Sequence, residues 1–334
     1  MRRVAWVMSI IGVGLALAAP FVLGGSTVLN GLRNVGPQMF MMLAGFAVIS
    51  GVAKAGKLQI LLVSLGSRLP LLRTLAITFV TDFAFLSSPA GAAGYVTNVT
   101  LLKAAGTSWA VSTTVVGAEQ ALDFVFFAVA LPAAAVSAVV PLAQWVPALP
   151  RSAYGILVTG ALFALAGLWW SRHVIGAALH KIVCVVPWFR ARQERIGEFV
   201  SEFRKQISTL NDAPVAAKLA LLLLTVVQWI TRYGVLWLVL LQLGYHVPFG
   251  FLLVLQAVVL HLAQWTGVPA GGGSADLGLA AALAPWLLGS TMATALLLWR
   301  FSTLYFPLMI GALSVVVLTA HWRTLPIATP ETRS

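Results

Sequence analysis

The sequence predicts an all-α polytopic membrane protein of about six to eight transmembrane helices, with two re-entrant hairpins broken by proline and glycine. Two observations predict this class. Of the 334 residues, 60% are hydrophobic and only 9% are charged, against about 25% charged residues in soluble domains. The apolar residues also form runs of bilayer-spanning length, and two runs contain the tripeptide Pro-Ala-Gly. A cytosolic enzyme and a secreted binding domain are thereby excluded, and residues 1–334 are expected to form one integral membrane domain.

The apolar runs give the predicted spans in order along the chain. Residues 4–23 follow two arginines, and a run of about 20 residues suits an uncleaved helix better than the shorter apolar core of a signal peptide. A second span at 38–52 completes an N-terminal pair of helices in 1–53, and a basic loop at 53–73 contains a short helix at 58–65. Further apolar runs cover residues 71–86, 109–140, 154–170, 217–243, 249–265 and 292–320.

The distribution of basic residues predicts the orientation. The chain has 21 Lys and Arg against 9 Asp and Glu, which in a soluble protein indicates nucleic-acid binding. In a membrane protein the same excess marks cytoplasmic loops, and this interpretation is favoured, so no nucleic acid is expected as a partner. Placing the basic loops inside puts 17 of the 21 on one side. We expect a multi-pass protein of the cytoplasmic (inner) membrane with both termini in the cytoplasm.

The two Pro-Ala-Gly interruptions begin at Pro89 and Pro269, 180 residues apart. Each lies between two apolar half-segments and precedes a long span, so residues 70–140 and 249–320 are interpreted as repeat units. With the orientation above, the units run in opposite directions through the membrane and form an inverted repeat. Backbone groups freed at mid-bilayer need a protein interior or a water-filled cavity, and paired breaks point to a transporter's binding site. Plain turns at the membrane surface are the alternative.

Six charged residues in apolar segments are the strongest functional candidates: Asp82, Glu119, Asp123, Arg232, Asp276 and Arg300. A charge at the centre of a membrane helix costs about 2.5–3.5 kcal/mol, so each needs a partner or a watery cavity. Glu119 and Asp123 lie one helical turn apart and require a cation or a shared proton. We expect Arg300 or Arg232 to form a salt bridge with these acids, and Arg232 also suits a lipid phosphate. A structural ion pair that fixes helix packing is the alternative for each residue.

The one long polar segment, 172–213, has apolar residues at helical spacing among arginines and lysines. It is interpreted as an amphipathic helix on the cytoplasmic leaflet, where anionic phospholipid attracts its basic residues. A helix that covers the cytoplasmic end of the bundle is the alternative. The five histidines are scattered and Cys184 is the single cysteine, so no metal ligands and no cofactors are expected. The sequence contains no nucleotide-binding motif and no nucleophile motif that would indicate an enzyme.

The residues around the two interruptions resemble the transmembrane domain of the lysylphosphatidylglycerol synthase/flippase family. In that family a Pro- and Gly-rich turn carries Gly-Glu-x-x-Arg and is followed by a helix with Glu-Arg-x-x-Asp. Here the turn is Pro-Ala-Gly at 89–91, and the helix motif runs from Glu119 to Asp123. The family's second turn, Pro-Gly-Gly-x-Gly-x-x-Glu, is similar to Pro-Ala-Gly-Gly-Gly-Ser-Ala-Asp at 269–276, and the arginine of the last span corresponds to Arg300.

Three departures from the family pattern remove polarity from the first half. Gly-Glu-x-x-Arg reads Gly-Tyr-Val-Thr-Asn at 94–98, Glu-Arg reads Glu-Gln at 119–120, and the second glutamate is Asp276. These changes argue against the family's usual lipid as the substrate. No aminoacyl-transferase domain is expected in the residues after 320, so the resemblance implies a stand-alone member.

The predicted function is a flippase-like transporter of membrane lipids or lipid-linked intermediates, which binds a headgroup in a central polar cavity. The alternative is an intramembrane enzyme or accessory subunit of a glycolipid or isoprenoid-lipid pathway. No catalytic residue is predicted. The predicted binding residues are Glu119, Asp123, Arg232, Asp276 and Arg300, with Pro89, Gly91, Gly271, Gly272, Gly273 and Ser274 in the two turns.

Overall fold

A computed structural model describes residues 35–145, 193–287 and 289–321, together with the single positions 14, 18, 22 and 33. This part of the chain is helical and contains no strand. The predicted all-α polytopic class is therefore confirmed. Apart from those single positions, the predicted spans at 4–23 and 154–170 lie outside the described residues, as do residues 172–192 of the amphipathic segment.

The helices follow the predicted order. They are α1 Pro37–Ser64, α2 Leu71–Leu86, α3 Ala92–Ala104, α4 Trp109–Trp145, α5 Gln193–Asn211, α6 Val215–Gln242, α7 Phe249–Trp265, α8 Ser274–Leu283, α9 Gly289–Arg300 and α10 Phe306–His321. A first turn, Pro89–Gly91, joins α2 to α3, and a second turn, Pro269–Gly271, joins α7 to α8. A π-helical turn, Phe301–Tyr305, joins α9 to α10 directly after Arg300.

Four helical segments of the described chain are long and apolar enough to cross a membrane: Pro37–Ser64, Trp109–Ser137, Val215–Gln242 and Thr291–Ala320. Helix α7 is a shorter apolar helix of 17 residues. Helix α6 illustrates the arrangement, since its exposed face carries Leu219, Leu223 and Val226 while Thr225 and Gln228 are buried. Apolar side chains outside and polar ones inside are typical of a helix between lipid and a polar interior.

The prediction for the region after residue 52 is wrong. Helix α1 does not end there; it continues to Ser64 through Lys54 and Lys57, so the separate helix at 58–65 does not exist and the loop before α2 is limited to residues 65–70. Lysine is a good helix former, and carboxylates of neighbouring helices compensate both charges. These two lysines therefore leave the set of loop residues from which the orientation was predicted.

The bundle brings the two turns into contact with each other. Helix α1 packs along α6, α2 packs against α10, α4 packs against α7, and the first turn contacts the second turn. The largest apolar core joins α1, α6 and α9 through residues such as Leu43, Leu236, Leu296 and Trp299. The core thus fixes the helices whose polar residues face the interior.

Candidate functional site

A cavity of about 590 Å³ opens between α1, α2, α3, α4, α6, α7 and α9. Its wall is mixed, because apolar side chains alternate with polar and charged ones. The polar lining includes Lys54, Asp82, Asn98, Glu119, Gln120, Asp123, Gln228, Arg232, Gln256, His261 and Arg300. Such a polar interior inside a membrane bundle is where intramembrane charges are tolerated and act on substrates.

Two lysines of α1 form ion pairs with acids of α2 and α4. The ammonium of Lys54 lies 2.5 Å from Asp82 and 3.9 Å from a carboxylate oxygen of Glu119. The ammonium of Lys57, which has no exposed side-chain surface, lies 2.6 Å from Asp123. The predicted salt bridge from Arg300 or Arg232 to Glu119 and Asp123 is therefore wrong.

Asp123 is also held by an aromatic wall. The indole N–H of Trp229 donates to the same carboxylate oxygen at 2.9 Å. Phe127 packs edge-on against Trp229 and Tyr233, with ring centroids 4.6 and 5.6 Å apart. All four side chains line the cavity, so one end of it combines aromatic surface with a fixed carboxylate.

Arg300 anchors the second turn. Its guanidinium donates two hydrogen bonds of 2.7 Å to the carboxylate of Asp276, and two more, of 3.1 and 3.2 Å, to the carbonyls of Ala270 and Gly271. Asp276 also accepts from the amide of Gly273 at 3.1 Å. Asp276 has no exposed surface and Arg300 is 2% exposed. The pair therefore holds the turn, and Arg300 reaches the cavity wall from this fixed position.

The residues predicted from the two glycine-rich turns do not line the cavity. Only Ala270 of the second turn and Gly94 at the start of α3 line it. The amides of Gly91, Gly271 and Gly272 donate to carbonyls within their own turns, and Ser274 donates to Gly271. Pro89 and Gly273 do not line the cavity either. The expected backbone donors are thus engaged inside the turns.

Arg232 differs from the other cations of the cavity. It lines both the main cavity and a neighbouring one of about 30 Å³, which Asp82 also lines. Within the described residues it forms no ion pair and no hydrogen bond, and its side chain is only partly buried. Its planar guanidinium is thus available to an anion, and phosphate is the anion its fork of donors fits best.

Sequence reasoning missed Lys54, Lys57, Asn98 and Gln228. A charge count held the signal for the lysines, because four acids in apolar segments faced only two recognised bases. Among the described residues no group of three His, Cys, Asp or Glu could hold a metal ion.

The comparisons with known proteins agree with this architecture. The sequence matches the family model described as the lysylphosphatidylglycerol synthase TM region over residues 9–311, which includes both turns and the whole cavity lining. It is also 24% identical over 257 residues to a protein of Archaeoglobus fulgidus named UPF0104 membrane protein, and this similarity covers 75% of the chain and 77% of the relative. The chain therefore belongs to the family of the lysylphosphatidylglycerol synthase transmembrane region.

Proposed function

We propose that this protein moves a phospholipid or a lipid-linked intermediate between the leaflets, with the phosphate of the headgroup bound to Arg232 in the central cavity. Membership of the family indicates a lipid-related membrane function. The cavity suits a headgroup in size, since its volume of about 590 Å³ lies within the usual range for small-molecule sites, about 300–1,000 Å³.

The observation that carries the proposal is the free guanidinium of Arg232. A charge inside a membrane helix is costly unless it has a partner. Asp82, Asp123 and Asp276 meet this requirement through ion pairs with Lys54, Lys57 and Arg300, and Glu119 lies 3.9 Å from Lys54. Arg232 has no such partner among the described residues, so a ligand anion is the missing half of its interaction. A lipid phosphate provides that anion and enters laterally from the bilayer.

The two turns support an inverted repeat with re-entrant hairpins. Ala90 and Ala270 have the same left-handed backbone, with φ of 50° and 53° and ψ of 18° and 17°. Within the described residues these are the only two non-glycine positions with positive φ. Equal geometry 180 residues apart, in turns that contact each other, is what paired discontinuous helices at a transporter's centre provide.

Location and surface partners belong to the same proposal. We place the chain in the cytoplasmic membrane with both termini in the cytoplasm, following the distribution along the sequence of the basic residues other than Lys54 and Lys57. Helix α5 then lies on the cytoplasmic face, where Arg204 and Lys205 are exposed and available to anionic phospholipid. Glu202 of α5 accepts a hydrogen bond from Ser108 at the start of α4, so the helix is also joined to the bundle.

A flip assay tests the transport function. The full chain is reconstituted in liposomes with acyl-chain NBD-labelled phosphatidylglycerol or phosphatidylethanolamine, and dithionite quenching measures the outer-leaflet fraction over time. Arg232→Ala should slow transport by about tenfold or more, because a charge-assisted hydrogen bond contributes about 1.5–3 kcal/mol. Arg68→Ala is the matched control, since Arg68 is exposed outside the cavity and should leave the rate unchanged.

Two results contradict the proposal. One is equal transport by wild type and Arg232→Ala, which would show that Arg232 does not bind the phosphate during transport. The other is the absence of movement in wild type. If chemical analysis of the recovered lipid then found a modified headgroup, the chain would act as an intramembrane enzyme instead.

A further inference from the structure

The cavity wall contains buried oxygen atoms that accept no hydrogen bond. They are the amide oxygens of Asn98 and Gln228, one carboxylate oxygen of Glu119 and the hydroxyl of Thr81. All four side chains line the same cavity and are at most 5% exposed. Buried polar atoms without partners are uncommon in folded proteins, so four around one cavity indicate a ligand that supplies donors or positive charge.

A count of charges points to the same kind of ligand. Asp82, Glu119 and Asp123 face only two lysines, Lys54 and Lys57. Lys54 lies against Asp82 and 1.4 Å farther from Glu119, at 2.5 and 3.9 Å. Glu119 is therefore the acid with the weakest compensation, and it also carries one of the unpartnered oxygens.

Arg232 does not fill this deficit when a phosphate is bound. It lies beyond 4.0 Å from every carboxylate of the described residues, and the phosphate would neutralise it. One uncompensated negative charge then remains at Glu119. The unpartnered oxygens of Asn98, Gln228 and Thr81 are an observation separate from the surplus charge at Glu119, and a cationic group answers both.

We propose that Glu119, Asn98, Gln228 and Thr81 form a subsite for one singly charged cationic group. Its source is either the primary ammonium of a zwitterionic headgroup such as that of phosphatidylethanolamine or a free monovalent cation such as Na⁺. Both offer what the wall lacks, because an ammonium donates three hydrogen bonds and Na⁺ is ligated by carboxylate, amide and hydroxyl oxygens. The subsite rests on the proposed transport function for its use, since its four residues line the same cavity as Arg232.

The two sources predict different selectivity. If the headgroup supplies the cation, phosphate at Arg232 and ammonium at Glu119 bind the two ends of one zwitterion, and anionic lipid binds less well. If Na⁺ supplies it, lipid binding depends on the sodium concentration and the headgroup needs no amine. In both cases, protonation or neutralisation of Glu119 removes the negative charge that attracts the cationic group, and the group no longer binds at the subsite.

The experiment uses the purified full chain in dodecyl maltoside. Thermal unfolding is followed during titration with NaCl against N-methyl-D-glucamine chloride at constant ionic strength. A second titration compares dioctanoyl phosphatidylethanolamine with dioctanoyl phosphatidylglycerol. Wild type should show either stabilisation by Na⁺ or tighter binding of the zwitterionic lipid. Glu119→Gln should weaken that binding by about tenfold or more, as expected for loss of a charge-assisted contact.

Controls separate the subsite from folding and from transport. Glu198→Gln makes the same chemical change on an exposed residue of α5 and should bind like wild type. Asn98→Leu removes an unpartnered oxygen without changing the charge, so the variant should fold at least as stably as wild type. It should also weaken binding of the cationic group. No preference in wild type, or a preference that Glu119→Gln and Asn98→Leu both keep, overturns the subsite. Lipid movement in the flip assay would then still support transport, so the two failures are distinguishable.

Discussion

The first and second turns have one backbone and two different supports. Ala90 and Ala270 differ by only 3° in φ and 1° in ψ. In the second turn, the residues 7 and 31 positions after the proline are Asp276 and Arg300, a buried ion pair that also holds the turn's carbonyls. In the first turn the corresponding residues are Val96 and Gln120, and both are exposed. Gln120 only accepts a hydrogen bond from the hydroxyl of Tyr95, at 3.2 Å.

The first turn is held by uncharged groups. The hydroxyl of Ser88 accepts from the amide of Ala93 at 3.1 Å, and the carbonyl of Ser88 accepts from the amide of Gly91 at 3.1 Å. The helix that follows contributes Tyr95 and Asn98 to the cavity wall, whereas α8 contributes nothing to it. One half of the molecule therefore uses its intramembrane charge to hold a turn, and the other leaves its polar groups facing the cavity.

This difference changes the roles of the charged candidates. Arg300 and Asp276 satisfy each other, so their loss should act on folding before it acts on ligand binding. Arg232 and Glu119 are not fully paired, so they are the charged residues that are expected to contact a ligand. The functional asymmetry lies in which charges remain available, and the turn geometry does not reveal it.

Removing the anchor of the second turn should have the largest effect. Arg300→Met leaves the buried Asp276 carboxylate uncompensated, and breaking such a pair costs about 3–5 kcal/mol. The free energy of unfolding is measured by circular dichroism in dodecyl maltoside with increasing SDS. Gln120→Met, the matched change at the corresponding position after the first turn, should cost little, because Gln120 is exposed and makes one long hydrogen bond.

A double variant makes this prediction sharper. Arg300→Met combined with Asp276→Leu removes both charges and should recover most of the lost stability, since apolar replacement of a buried pair is often neutral. Equally mild effects of Arg300→Met and Gln120→Met would show that the two turns do not differ in support.

Hydropathy was sufficient for the fold where the helices are uniformly apolar. The sequence located α2 and α7 within their true bounds, and it found both interruptions, because runs of apolar residues and Pro-Ala-Gly are local signals. It ended α1 too early at residue 52. Lys54 and Lys57 lower the local hydropathy, and only packing against α2 and α4 compensates them inside the bundle.

The sequence identified most of the charged residues of the candidate site, but it did not identify the ion pairs between them. Asp82, Glu119, Asp123, Arg232 and Arg300 do line one cavity. Which cation pairs with which acid depends on the distances between helices that are far apart in sequence, as for Lys57 and Asp123. The unpartnered oxygens of Asn98 and Gln228 are also a tertiary property, because a polar residue in a helix does not show whether a donor faces it.

A smaller effect is expected from the support of the first turn. Ser88→Ala removes the acceptor of the Ala93 amide near the start of α3, and loss of such a cap costs about 0.5–2 kcal/mol. Ser88→Thr keeps the hydroxyl and should retain most of the stability in the same SDS titration. The corresponding residue of the second turn is Val268, so Val268→Ala should cost less than Ser88→Ala. A cost as large as that of Arg300→Met would show that the first turn is not the weaker one.

The smallest effect should come from the shared backbone itself. An L-residue in the left-handed region costs roughly 1–2 kcal/mol of stability. Glycine avoids this cost but loses about 0.5–1 kcal/mol, because it has greater conformational freedom in the unfolded chain. Ala90→Gly and Ala270→Gly should therefore each stabilise the protein by about 0.5–1 kcal/mol, and by equal amounts, because their φ angles are 50° and 53°. Ala121→Gly, an exposed position inside α4, should destabilise by about 1 kcal/mol in the same assay. Stabilisation by Ala270→Gly without stabilisation by Ala90→Gly would mean that the first turn relaxes out of this conformation in the membrane. The charged anchor of Arg300 and Asp276 would then be what maintains the left-handed geometry, and the first turn would be the movable half of the pair.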